Sequence, residues 1–563
     1  MPSEEGARQR FSDAAAQRVF GQGTIKVRPG RSDASSGLAQ RTALLASFAL
    51  ASRLLGLVRD MSMAWLLGGG MLADALAAAL RLPHVLRRLL GEGALSMTLT
   101  ASLVHLARQA QGQAPADMRG LARLLALWLG LGCCGIMLVS LVASPWLADL
   151  LTPGFDPAQR EITAELLRLC LPYVPCAVLA ALGMALLHSV GVFWLPAFSP
   201  LLFNCVVLGF AAAGALGCLQ PAAALALGVA CGGAAQCLVP WLAVRRLLPS
   251  GHDVPATARA RSCARDARAC LRRLPQGLLG VAAPQVAMLL AMSLASGLGQ
   301  GQVAALHYAE RLLELPLGLT GVCLGMASLP TLSRLAAQGD RAQFAQRLSA
   351  ALRLTLLFIL PAVAGLWAVG PRLVEGLLGH GAFDARATQA TWLVLLALLP
   401  ALPALALNKS LLAACNALRM ADRTAWSTVL AVATTLVTGV VLGRWLRAAI
   451  PLAVGVGMWT QTAVLICLLD QALRAPETAA HEARAWLPHP QHVLRQAVSA
   501  LVTGLAARAL LEHMAAYGLW PSLACAVGGG GLAWFACLVL LRDGDVLALK
   551  EFLLRSVLNG KRS

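Results

Sequence analysis

Apolar residues run through this chain in long unbroken stretches, most of them at or above the ~20 residues a helix needs to cross a bilayer. Fourteen can be marked, at 40–66, 71–107, 120–147, 161–190, 196–217, 221–246, 274–299, 302–333, 346–369, 386–414, 424–443, 449–470, 492–516 and 520–541. None shows the alternation of a transmembrane barrel strand. The pattern therefore predicts an all-α, polytopic membrane protein with about 14 transmembrane helices. The second and eighth stretches exceed a straight crossing and contain Pro83 and Pro316, which predicts bent helices. Residues 1–37 are polar and rich in Arg, Ser, Gly and Gln, with no apolar core of a cleavable signal. They read as a disordered cytoplasmic N-terminal extension.

A longer period overlies the apolar one. "PWLADLLTPGFD" (145–156) resembles "PRLVEGLLGHGAFD" (371–384), and in both a Phe-Asp pair opens an apolar stretch. A proline follows sixteen residues after each aspartate: Asp156 leads to Pro172, and Asp384 to Pro400. The interval from Asp156 to Asp384 spans six stretches, which predicts two six-helix repeats and two helices appended at the C-terminus. An even number of crossings makes the repeats parallel, an arrangement in which transporters hold substrate between the halves and alternate access by rocking them. The expected organisation is a first lobe at 38–246, a basic cytoplasmic loop at 247–273, a second lobe at 274–475, the appended pair within 476–545 and a cytoplasmic tail at 546–563.

Composition agrees with the pattern. The chain of 563 residues is 58% hydrophobic and 13% charged, against about 25% charged in soluble domains. A net charge of +19 could suggest nucleic acid, but much of the excess lies in short connections, where basic residues set topology. The connection 245–273 holds eight arginines against Asp253 and Asp266, and Arg334, Arg341, Arg347 and Arg353 mark a second basic region two stretches later. Both should be cytoplasmic, with the acidic connection 149–161 on the opposite side and both termini inside. Arg444 and Arg447 break the rule, late in the chain where topology is already set. The fifteen cysteines are scattered through apolar stretches without metal-ligand spacing and read as small buried hydrophobes.

The charges inside the apolar stretches are the candidate chemistry. An arginine at a bilayer centre costs at least roughly 2.5–3.5 kcal/mol, yet "SRLLGLVRDMSMAWLLGGGMLADALAAALRLPHVLRRLLGEGALS" (52–96) carries Arg53, Arg59, Asp60, Asp74, Arg81, Arg87, Arg88 and Glu92. Asp74, Arg81, Arg88 and Glu92 fall at steps of 7, 7 and 4, near one helical stripe. Arg53 and Asp60 share a face of the first helix; Arg59 needs a local bend to join them, which Gly56 could supply. On the eighth stretch His307, Glu310, Arg311 and Glu314 form another polar face. Pairing within the set accounts for Arg88 with Glu92 and Arg311 with Glu314, but leaves an excess of arginine. Guanidinium stays charged and donates in a planar fork suited to phosphate. A pyrophosphate on a lipid-linked substrate fits such a cavity.

The motifs "SRLLGLVRD", "LADALAAALRLPHVLRRLLGEGALS", "LTPGF", "PAFSPLLFN" (196–204) and "HYAERLLELPLGLTGVCLGMASLPTLSRL" (307–335) resemble the MurJ (MviN) family of lipid II flippases, over roughly residues 38–545. The resemblance implies membership of the multidrug/oligosaccharidyl-lipid/polysaccharide (MOP) exporter superfamily, two six-helix lobes, and two extra helices forming a groove for the lipid tail. It implies that Arg53, Arg59 and Arg311 bind the substrate pyrophosphate, with Arg87 and Arg88 as the arginine pair of the second helix. Asp60, Asp74, Glu92, Glu310 and Glu314 would hold gates or compete for the arginines. The implied activity is movement of lipid II, an undecaprenyl-pyrophosphate-linked disaccharide-pentapeptide, from the cytoplasmic to the periplasmic leaflet of a bacterial inner membrane. No cofactor, metal or catalysis is expected; the membrane potential or an ion gradient would drive transport. The implied partners are lipid II, membrane lipids and the cell-wall synthesis machinery.

This chain also departs from the family pattern. His84 stands where asparagine is usual, Glu310 replaces an aspartate, and "CNALRMADRTA" (415–425) matches "FYALGDTRTP" only loosely. The seventh stretch, around "PQVAMLLAMSLASG", has no acid to hold sodium, while Lys409 lies near the expected cavity. The alternative within transport is export of another lipid-linked oligosaccharide or a drug, although a cation exporter favours acidic cavities. A membrane enzyme would need paired aspartates or a His/Arg phosphatase constellation, and neither is visible in the sequence.

The orientation is testable. A reporter fused at Arg261, in the basic loop, is expected to give the cytoplasmic signal; a periplasmic signal there would reverse the topology.

Overall fold

The computed structural model describes residues 33–89, 118–189, 192–247, 264–269, 271, 274–443, 445, 449–473 and 486–541. Residues 1–32 of the expected extension, Glu92, most of the basic loop 247–273 and the tail 546–563 lie outside the described residues. The described residues form helices and turns and contain no strand.

In chain order the helices are α1 (Asp33–Leu67), α2 (Met71–Leu86), α3 (Met118–Val142), α4 (Ser144–Leu151), α5 (Pro157–Cys170), α6 (Tyr173–Ser189), α7 (Trp194–Ala215), α8 (Pro221–Leu247) and α9 (Leu274–Ala295). They continue with α10 (Gln302–Gln338), α11 (Arg341–Leu378), α12 (Ala385–Leu398), α13 (Ala401–Ala417), α14 (Ala421–Gly443), α15 (Ala449–Leu473), α16 (Pro490–His513) and α17 (Leu519–Leu540). The first helix starts at Asp33, so residues 33–37, expected in the disordered extension, are helical.

Among the described residues nine helices are long and apolar enough to cross a membrane, or ten if α12 and α13, bent by 48°, count as one span. The expected fourteen is not reached by this measure. The four remaining stretches coincide with α1, α2, α9 and α10. Of these, α1 and α10 carry in-membrane charges that lower their apolar content, and α2 has only 16 residues.

The repeat read from sixteen-residue spacings reappears in the helices. Helices α5 and α12 are each 14 residues long, and α6 and α13 each 17. Every boundary is displaced by the interval that separates Asp156 from Asp384, so that Pro157 corresponds to Ala385 and Tyr173 to Ala401. The causes are local. Asp156 and Asp384 are N-caps whose carboxylates accept from the amides of Gln159 and Ala387, both at 2.8 Å. Each cap satisfies an amide that the first helical turn leaves without a partner. At the other end Pro172 and Pro400 cannot donate to the helical ladder, and their rings clash with the preceding turn. Each 14-residue helix therefore stops at the leucine before the proline.

The chain divides into two compact units. The first comprises residues up to Leu67, Ala75–Leu151 and Asp156–Val281; the second comprises Gly68–Asp74, Thr152–Phe155 and Ala282 onward. In the first, α3, α6 and α8 share a core that includes Leu121, Leu125, Leu182, Leu186, Val244 and Ala267. Close approach of α6 and α8 needs glycine: a Cβ on Gly183 would lie 2.9 Å from Pro240, and one on Gly233 would overlap the Tyr173 ring. Small residues of this kind let membrane helices pack by contact alone.

In the second unit the equivalent helices, α13 and α15, are joined by hydrogen bonds. Asn408 donates to the Met458 carbonyl and to Gln461 Oε1, both at 3.1 Å, and its own Oδ1 accepts from Thr462 at 2.8 Å. All three side chains are buried. The appended helices α16 and α17 pack on α11, where Ala368 and Val369 meet Ala507, Leu523 and Ala526. Gly504 fits against the Ala364 carbonyl, 3.2 Å from where its Cβ would be.

Removing either N-cap is expected to cost about 0.5–2 kcal/mol. Asp156→Ala and Asp384→Ala should each lower the melting temperature of the purified protein in detergent, and Asp→Asn at the same positions should restore most of it.

Candidate functional site

In the first unit Arg59 of α1 bridges an aspartate and an asparagine. The Arg59 guanidinium lies side-on to its neighbour Asp60, with Nε and Nη2 donating to Oδ1 at 3.0 and 2.7 Å. Its third nitrogen, Nη1, donates to Asn204 Oδ1 on α7 at 3.3 Å. Asn204 in turn donates through Nδ2 to the Ser52 carbonyl at 3.0 Å, tying α7 to α1 one residue before Arg53. The guanidinium carbon stands 5.9 Å from the centre of the Phe203 ring, within range of a cation–π contact. The Arg59 and Asp60 side chains are only 17% and 11% exposed. A Cβ on Gly56 would make only ordinary contact here, 3.8 Å from Asn204 Nδ2.

The arrangement sets both the charge and the direction of the arginine. Asp60 neutralises it, and Asn204 and Phe203 hold the fork in place. Arg53 is half-buried on the same helix. Arg81 is buried on α2, and Arg87 and Arg88 are half-buried in the wider helical turn that follows it. The pairing expected between Arg88 and Glu92 lies outside the described residues.

In the second unit α10 carries the other set. Arg311 Nη1 donates to Glu314 Oε2 at 3.1 Å, one turn on, and these side chains are 16% and 29% exposed. This is the pairing that the spacing of three residues predicts. Glu310 and His307 are buried on the same helix. Lys409 of α13 donates to the Leu317 carbonyl of α10 at 3.5 Å.

Asp74 has a role that spacing on α2 does not suggest. Its side chain is fully buried, and its two oxygens accept from the amides of Gly301 and Ala304 at 2.6 and 2.7 Å. It therefore caps the N-terminus of α10 from a distant part of the chain, where helix-end amides and the helix dipole both favour a carboxylate. Gly301 itself has φ +86°, a left-handed turn that lets its amide face the carboxylate. Beside it, Tyr308 donates to the Gly68 carbonyl at 3.3 Å and stacks edge-on against Phe383 at 5.3 Å.

Sequence reasoning gave no role to Asn204, Phe203 or Ser52. The available signal was a lone amide inside the apolar motif "PAFSPLLFN", where an asparagine without a partner would be costly. Among the described residues no group of three or more His, Cys, Asp or Glu side chains could hold a metal ion.

Solved structures share this fold. The lipid II flippase MurJ in an inward closed conformation superposes with a TM-score of 0.71 at 18% identity, covering 89% of this chain and 99% of that one. An inward-facing multidrug resistance MATE transporter of the MOP superfamily gives 0.61 at 16% identity, covering 77% and 99%. The chain is thus a multi-pass membrane protein with the fold of these transporters. The family profile described as lipid II flippase MurJ matches residues 63–524. The probable lipid II flippase MurJ of Bdellovibrio bacteriovorus is 31% identical over 376 residues, covering 62% of this chain and 66% of the relative. The lipid II flippase MurJ of Burkholderia cenocepacia is 27% identical over 354 residues, covering 61% and 66%. The match spans just under two thirds of the length of these relatives. The chain belongs to the lipid II flippase MurJ family.

The Arg59 tether makes a graded prediction. Asn204→Ala removes a hydrogen bond to a charged group and is expected to destabilise by about 1.5–3 kcal/mol. Asp60→Ala leaves a buried guanidinium without its counter-charge and is expected to cost more, about 3–5 kcal/mol. Thermal unfolding in detergent should rank the proteins wild type, Asn204→Ala, Asp60→Ala, in falling order of stability.

Proposed function

We propose that this protein is a lipid II flippase: a transporter that moves undecaprenyl-pyrophosphate-linked peptidoglycan precursor to the periplasmic leaflet by alternating access. The family match over residues 63–524 carries the reading. The arrangement of arginine supports it, because Arg59 is pre-aligned by Asp60, Asn204 and Phe203 as a fork-shaped donor. Such a fork matches two oxygens of a phosphate better than an ammonium does. Arg53 and Arg59 of the first unit and Arg311 of the second are the proposed pyrophosphate ligands, with Arg87 and Arg88 as secondary donors. Asp60 and Glu314 are proposed to release their arginines to the substrate. The protein would sit in the bacterial inner membrane with both termini cytoplasmic, and an ion gradient or the membrane potential would reset it. The appended helices α16 and α17 would hold the prenyl tail.

The test is rescue of a bacterial strain depleted of its own flippase, with membrane abundance and lipid II binding measured in parallel. Wild type is expected to rescue growth, and failure at normal abundance would remove the lipid II assignment. Arg53→Ala, Arg59→Ala and Arg311→Ala are each expected to weaken lipid II binding about tenfold or more, from the roughly 1.5–3 kcal/mol of a charge-assisted contact. Arg→Lys should fall between, keeping charge without the fork. Normal binding by all three alanine variants would show that these arginines are structural.

Truncation before α16 gives a separate outcome. The shortened chain is expected to reach the membrane but to lose rescue; full rescue would refute a role for the appended pair.

A further inference from the structure

The first unit has a second basic site, on different helices from the Arg59 tether. Helices α3 and α8 both pack on α6, and a groove of about 660 Å³ opens between them. On α3 it is lined by Arg119, Ala122, Arg123, Ala126 and Leu127, at steps of three, four, seven and eight that make one helical face. On α8 it is lined by Trp241, Val244 and Arg245, again one face. Three arginines and no carboxylate thus rim a floor of alanine, valine and tryptophan.

The floor is firmly held. The Trp241 indole donates to the Leu179 carbonyl of α6 at 2.9 Å, and Ala122 and Val244 belong to the core shared by α3, α6 and α8. Apolar side chains extend each wall along the helices: Leu127 and Leu131 on α3, and Leu238 and Leu242 on α8, are all about half exposed or more.

We propose that this groove binds an anionic glycerophospholipid. The headgroup phosphate would sit among Arg119, Arg123 and Arg245, with an acyl chain along the Leu127–Leu131 and Leu238–Leu242 walls. Charge complementarity selects this occupant. Basic pockets between membrane helices at the interface hold anionic headgroups, and the apolar walls continue in the direction a lipid tail would take. A soluble phosphate would use the arginines and leave those walls without a function. The site uses none of the residues proposed to bind the pyrophosphate of lipid II, so it stands or falls independently of that reading.

The test is native mass spectrometry of the full-length protein, titrated with phosphatidylglycerol or phosphatidylcholine, with inorganic pyrophosphate as competitor. Wild type is expected to retain phosphatidylglycerol over phosphatidylcholine. The triple variant Arg119→Gln, Arg123→Gln, Arg245→Gln is expected to lose about tenfold or more of that preference. Ala126→Trp fills the groove without altering charge and should lose bound lipid equally, so it carries the test alone if the triple variant does not purify. Millimolar pyrophosphate should leave the lipid bound; its displacement would identify the site as one for free phosphate and overturn the proposal. Unchanged lipid retention by Ala126→Trp, or equal retention of the two lipids by wild type, would also overturn it.

Discussion

A guanidinium cannot be deprotonated to escape a low-dielectric interior, so every arginine placed among these helices must bring its counter-charge or meet a ligand. Much of the first unit's detail follows from that constraint at Arg59. Asp60 lies beside it in sequence, and Asn204 comes from another helix to accept from its third nitrogen. Asn204 also spends its amide nitrogen on the Ser52 carbonyl, so the same side chain that orients the arginine joins α1 to α7. The helix contact and the orientation of the charge are one structure. A change that loosens either loosens both, which is why the effects of Asn204 and Asp60 on stability and on substrate should not be separable by single substitutions alone.

The second unit meets the same constraint at a helix end. Asp74 is a buried carboxylate, and its compensation comes from backbone amides and the dipole of α10 in place of an arginine. Two acids that look alike in the sequence thus do different work. One neutralises a side chain, while the other closes the first turn of a 37-residue helix.

How much of this was legible in the sequence depended on range. The repeat was visible because its causes are local: an N-cap aspartate with a proline sixteen residues on, first as Asp156 and Pro172, then again as Asp384 and Pro400. The Arg311–Glu314 pair was visible because three residues bring side chains together on any helix. Asp60 is legible as a charge partner of the arginines, on a face with Arg53, but its direct pairing with Arg59 is not, because adjacent residues diverge on an ideal helix and only the three-dimensional setting turns that guanidinium back on its neighbour. A lone asparagine in an apolar motif signals that Asn204 has a partner but not which one, and the capping role of Asp74 leaves no local signal, since each depends on a contact to a residue far away in the chain.

The duplicated halves are built on one template but joined differently inside. In the register that aligns Asp384 with Asp156, Asn408 and Gln461 of the second unit fall on Ala180 and Gly233 of the first. Where α13 and α15 interlock through a buried amide network, α6 and α8 meet through small residues, the ring of Tyr173 and a hydrogen bond from the Trp241 indole to the Leu179 carbonyl. A seam of directional bonds behaves as a latch, because sliding it by a fraction of a turn breaks several bonds together. A seam built mainly on close contact yields more gradually, since each contact carries little energy by itself. The same pair of helices is thus fastened chiefly by directional bonds in one unit and chiefly by close contact in the other.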